Sequence, residues 1–158
     1  MEFEPDQINL DGLEQFAKAV KVSNPPHARI GILAKTNGRD DNGAGNATIG
    51  AAHEYGVPSR NLPARSFLRM PLTSELPAKL ENAKIFSEDD FNEVLKTGTL
   101  VPWLKKIAVL ATATVKEAFA TNGFGRWAPW RPGYENNTGD ILVDTGQLRD
   151  SITEEVVE

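Results

Sequence analysis

The chain has no cysteine, which excludes a disulfide framework and thiolate metal centres. Histidine is scarce, with two in 158 residues. No apolar run approaches the ~20 residues needed to span a bilayer, and the opening "MEFEPDQINL" lacks the apolar core of a signal peptide. A surplus of positive charge is missing too. Seventeen Lys and Arg face 22 Asp and Glu, a formal net charge of -5, which speaks against nucleic-acid binding as the main task. A local basic patch inside an acidic chain stays compatible with that balance. The rest is ordinary for a soluble globular protein: 40% hydrophobic and 25% charged. Synthesis in a cytoplasm is expected, and so is one domain over residues 1–158.

Periodicity and punctuation divide the chain into elements. Leu13, Phe16, Ala17 and Val20 recur at helical spacing behind Asp11, a candidate N-cap, and Pro25-Pro26 ends the element. "ARIGILA" reads as a short strand with Ile30 and Ile32 on one face. Residues 36–46, "TNGRDDNGAGN", have nothing to bury and read as a flexible surface loop, either disordered or ordered by a partner. Asn46 is placed to cap the helix "ATIGAAHEY", which Gly56 stops. Its small residues Ala47, Gly50 and Ala51 suggest close packing along one side.

"SFLRM" (66–70) reads as a second strand between Pro63 and Pro71. Residues 73–84 are helical in character with Pro77 in the first turn. Ser87 and Gly98 bracket another helix. The strongest pattern runs from Pro102 to about Asn122. Trp103, Ile107, Leu110, Ala111, Val115, Ala118 and Phe119 keep a 3.6-residue period there. A Trp-, Pro- and Gly-rich loop follows. Then "ILV" and "SITEEVV", both strand-like, flank "DTGQLRD", a turn with a short helical piece. The expected architecture is α+β: a small, mostly antiparallel sheet packed against one long helix, with long surface loops.

Two fragments of catalytic motifs are present. His53-Glu54 begins H-E-x-x-H, but Val57 stands where the second His belongs, so a zinc site lacks its ligands. Asp144-Thr145-Gly146 matches the tripeptide of aspartic proteases, whose chemistry needs a second carboxylate sharing a proton. The plainer reading is a capped turn in which Asp144 or Thr145 accepts backbone N–H bonds. A hydrolase acting through Asp144 or through His53 and Glu54 is the enzymatic alternative. The pair Trp127 and Trp130, flanked by Arg126 and Arg131, reads as an anchor or interface hot spot, or else as a stacking platform. The platform belongs to a third reading, a DNA-contacting protein.

Two blocks together resemble a known family. "IGAAHEYGVPSRNLPARSFLRMPL" is similar to the A-x-x-x-E-[FY]-G-x-P…I-P-A-R-P-F-L-R block of tailed-bacteriophage virion morphogenesis proteins. These are the tail-completion, tail-terminator and head–tail joining proteins. "WAPW" followed by "ILVDTGQLRDSIT" resembles their Trp-Pro stretch and L-x-D-T-G-x-L-R-x-S-I block. The blocks cover about a third of the chain. Their order is the reverse of the commonest arrangement, and Ser66 replaces a proline, which leaves terminator versus connector open.

The resemblance implies a structural protein without catalytic chemistry or cofactor, located in the virion at the head–tail junction or the tail end. It implies partners as well: further copies in a hexameric or twelvefold ring, tail tube or sheath, and connector proteins, with DNA passing through without sequence-specific binding. Expected interface residues are Glu54, Tyr55, Arg60, Pro63, Arg65, Phe67, Leu68, Arg69, Trp127 and Trp130. Phe67 and Leu68 are expected to offer an apolar anchor, and Arg60, Arg65 and Arg69 to meet carboxylates of a neighbour. Asp144, Thr145, Gly146, Leu148, Arg149 and Ser151 are expected to form a structural corner or a direct interface, with Arg149 bridging to Asp144 or Asp150.

Overall fold

A computed structural model describes residues 10–21, 23–40, 43–85, 87–131, 133 and 139–158. Parts of the 36–46 loop and of the Trp-rich loop, and the side chain of Leu13, lie outside the described residues. The fold is α+β. In chain order it comprises α1 (Leu10–Val20), β1 (His27–Ile32), α2 (Asn46–Tyr55), α3 (Arg69–Ser74), α4 (Leu76–Asn82), α5 (Glu88–Thr97), α6 (Val101–Ala120), α7 (Gln147–Asp150) and β2 (Ile152–Val157). Single 3-10 turns lie at Ala34–Thr36 and Pro58–Arg60.

The long helix α6 packs against a two-stranded antiparallel sheet in which His27 pairs with Val157 and Ile32 with Ile152. Phe67, Val115, Ala118, Phe119, Trp127, Ile141, Leu148 and Ile152 form the main core, and Ile30 and Ile32 pack against it as their spacing predicts. Its aromatic centre is Phe119, with Phe67 at 5.3 Å and Trp127 edge-on at 5.7 Å. At the other end of α6, Phe16 meets Phe91 at 5.3 Å and Trp103 at 5.9 Å, beside the buried Val94 and Val101.

Local capping chemistry explains the helices that match expectation. Ser87 and Asp90 form a reciprocal capping box, and Gly98 closes α5 in the left-handed conformation. The Asp90 carboxylate also accepts from Lys106 on α6, tying the two helices together. Pro102 occupies the first turn of α6, where its missing N–H costs nothing. At the exit, Gly123 has φ +67, and a Cβ there would lie 2.2 Å from the Trp127 ring. Only glycine lets the indole pack so closely.

Four local expectations are corrected. Residues 66–70 are no strand: Arg69 begins α3. Ile141–Val143 are no strand either, because Gly139, Leu142 and Gly146 all take positive φ and turn the chain. Asn46 lies inside α2 rather than capping it, and Asn37 Oδ1 accepts the Ala47 N–H instead, at 2.8 Å. Asp11 falls within the first turn of α1, where its charge complements the helix dipole. The described part of the 36–46 loop is held by hydrogen bonds. Asn46 donates to the carbonyls of Thr36 and Gly38, Arg39 donates to Asn46 Oδ1, and the Asp40 N–H donates to Gln147 on α7.

Candidate functional site

The segment after α2 is organised by one carboxylate. Glu54 is buried at 5% exposure. Its Oε1 accepts from Ser66 Oγ at 2.6 Å and from the Arg69 N–H at 3.1 Å. Its Oε2 accepts from the N–H groups of Phe67 and Leu68, both at 2.9 Å. These are the orphan donors at the start of α3, so Glu54 caps that helix from another helix. Four donors offset the cost of burying the charge. Ser66 Oγ in turn accepts from the Met70 N–H. Gly56 has φ +74, and a Cβ there would meet the Ala64 nitrogen at 2.8 Å, so glycine is what lets the chain fold back beneath Glu54.

Arg65 then joins this segment to the Trp-rich loop. It is 4% exposed, donates Nε to the Ala128 carbonyl at 2.9 Å and Nη2 to the Pro129 carbonyl at 3.0 Å, and stacks over Trp130 at 5.3 Å. Trp127 Nε1 donates to the Ser66 carbonyl at 3.1 Å. The cation on Trp130 is therefore Arg65, not the flanking arginines. Arg126 pairs with Glu75 at 3.0 Å, and Arg131 donates to the carbonyls of Arg60 and Asn61.

This bonding engages part of the expected interface set inside the chain. Phe67, at 2% exposure, lies in the core. Glu54, Arg65 and Trp127 are likewise spent inside the chain. Arg69 lies 4.0 Å from Glu54 Oε1 and stacks over Tyr55 at 5.6 Å. Tyr55, 68% exposed, Arg60 and Arg69 remain at the surface. Pro63, Leu68 and Trp130 are half-buried.

The "DTGQLRD" segment forms a corner ahead of β2. Leu148 enters the core, and Ser151 Oγ donates to the Leu148 carbonyl at 2.6 Å. Gly146 is buried with φ +80 and precedes α7. Arg149 bridges to Asp150 at 2.8 Å, not to Asp144. Thr145 Oγ1 accepts from the Gln147 backbone N–H at 3.5 Å, and Asp144 is exposed. Among the described residues no group of three His, Asp or Glu is placed to hold a metal. No described helix is long and apolar enough to cross a membrane.

Two concavities flank α2. A groove of about 210 Å³ runs along Ala47, Ala51 and Tyr55, facing Ile32 and Leu68. Of the three small residues, Gly50 is buried while Ala47 and Ala51 stay exposed, so only Gly50 packs closely. On the other side a cleft of about 250 Å³ is lined by His53, Arg60, Pro63, Arg65, Trp130 and Arg131. His53 Nδ1 is buried there without a hydrogen-bond partner. Burial, and then the charge of Arg65, push its pKa down from 6.5. Arg131 was assigned by sequence only to the Trp pair. Its place beside His53 and Arg60 depends on contacts 70 residues apart in sequence, which no local pattern signals.

The sheet offers a further surface. Among the described residues it has two strands only, so the outer edges of β1 and β2 are both unpaired. Comparison with protein-family models, curated proteins and solved structures finds no match.

Proposed function

We propose that this chain is a structural assembly protein of a tailed-phage virion. It acts by protein–protein binding in a ring at the head–tail junction or the head-proximal end of the tail, as a terminator, completion or neck protein. The observation that carries this reading is the junction of the two resembling blocks. Arg65 of the first block grips the carbonyls of Ala128 and Pro129 within the second, and Trp127 returns a bond to Ser66. Two motifs distant in sequence thus form one structural unit. The unit leaves Tyr55, Arg60 and Arg69 at the surface, and the sheet leaves two unlike edges. Unlike surfaces are what a head-to-tail ring contact needs.

Electron microscopy of lysate from a phage lacking the gene tests the proposal. Full heads beside free tails of normal length indicate completion or joining. Overlong tails indicate a terminator, because only a cap that stops polymerisation leaves that defect. Intact, joined virions overturn the assembly reading.

A further inference from the structure

The cleft beside α2 gathers positive charge without a counter-charge. Arg60, Arg65, Arg131 and His53 line it, and none of its lining residues among those described is acidic. Arg65 bonds two carbonyls and stacks on Trp130, and Arg131 bonds two more carbonyls, so among the described residues neither positive charge meets a carboxylate. Arg60 is exposed, and its side chain has no partner among the described residues. The buried Nδ1 of His53 is a second, independent vacancy in the bonding of the same cleft. In a chain of net charge -5, such a cluster raises the local concentration of anions.

We infer that this cleft is a receptor for a carboxylate side chain of an acidic peptide segment. A guanidinium has five N–H donors in a planar fork that matches a carboxylate, and Arg60 spends none of them among the described residues. Pro63, Leu62 and the Trp130 ring supply apolar wall for the methylenes of a glutamate. At about 250 Å³ the cleft takes one side chain and falls below the ~300 Å³ at which small-molecule sites begin. A nucleic-acid backbone has to lie along a surface, and the chain's net negative charge repels it beyond the cleft.

The cleft shares Arg60 with the surface offered above for ring contacts and so deepens that reading, but carboxylate binding is measured on the chain alone, and its failure leaves the ring reading to the microscopy. Titration calorimetry of the whole chain at low ionic strength tests it, with acetylated tetraglutamate as the probe. Tetraglutamine, inorganic phosphate and a single-stranded oligonucleotide serve as comparison ligands. Tetraglutamate is expected to saturate one site that tetraglutamine does not fill. Arg60→Ala is expected to weaken it about tenfold and Arg60→Glu to abolish it. Lys105→Glu, the same charge change on an exposed position of α6, is expected to leave binding within about twofold.

Arg60 is exposed and its side chain has no hydrogen bond or ion pair among the described residues, so these variants are expected to keep the fold intact. Absence of saturable tetraglutamate binding overturns the inference. So does binding that Arg60→Glu leaves unchanged. Tighter binding of phosphate or oligonucleotide than of tetraglutamate, lost in Arg60→Glu, overturns it in favour of a phosphate site.

Discussion

Trp127 and Ser66 are bonded across 61 residues of sequence, the indole N–H donating to the Ser66 carbonyl at 3.1 Å. The same ring stands edge-on to Phe119 and lies on Gly123. Trp127→Ala removes packing and bond together and is expected to cost about 3–5 kcal/mol. Trp127→Phe keeps most of the packing but leaves the carbonyl unpaired, costing about 1–2 kcal/mol. Urea denaturation of the two variants separates the contributions.

Glu54 caps α3 from a distance, so its loss should be felt in α3. Glu54→Ala strands the Phe67, Leu68 and Arg69 N–H groups and is expected to cost about 3–4 kcal/mol. Glu54→Gln retains one acceptor oxygen but adds donors facing donors, and should lie between the two. Hydrogen exchange is the decisive readout. The amides of residues 67–69 are expected to lose protection more than those of α6.

Acid should destabilise the fold in two separate steps. Burial first, and the Arg65 charge second, hold His53 below 6.5 in the folded chain. As pH falls past 6.5 the unfolded chain takes up a proton that the folded chain refuses, so stability declines down to the lowered folded value. Asp90 is held below 3.8, chiefly by the hydrogen bond from Lys106 and then by that from Ser87. Its contribution is fully present above 3.8 and is lost as pH falls through the folded value. His53→Gln is expected to remove the upper step and Asp90→Asn the lower one in denaturation curves taken across pH.

Asp144 separates the binding reading from the hydrolase alternative. Its side chain is exposed, so Asp144→Asn is expected to change stability by no more than about 0.5 kcal/mol. Virion assembly, followed by complementation and microscopy, is expected to be unaffected. Loss of a hydrolytic activity of the purified protein in this variant, with assembly intact, would favour the enzyme.

Elements whose signals lie within a few residues of themselves were legible in the sequence. Ser87 and Gly98 bound α5 because capping is local, and the 3.6-residue period of α6 records the face it turns to the sheet. "SFLRM" was misread for the opposite reason. Its composition favours extended chain, yet a carboxylate 13 residues upstream of Phe67 supplies what a helix start needs. The candidate site divides in the same way. Arginines in a stiff loop read as surface charge until the carbonyls of Ala128 and Pro129, more than 60 residues away, take Arg65 inside. The cleft of His53, Arg60 and Arg131 is assembled from two stretches about 70 residues apart, so its charge balance exists only after folding.

The pairing of Arg29 with Glu155 spans 126 residues, and that separation sets a schedule for synthesis. At ribosomal speeds of about 5–20 residues per second, β1 waits about 6–25 s for β2 to be made. During that interval "HARIGI" is an unpaired strand beside a half-formed core. A nascent chain of this topology leaves β1 without its partner strand until β2 is made. Deleting residues within β2 should shift the product from soluble protein to aggregate more sharply than an equal loss elsewhere.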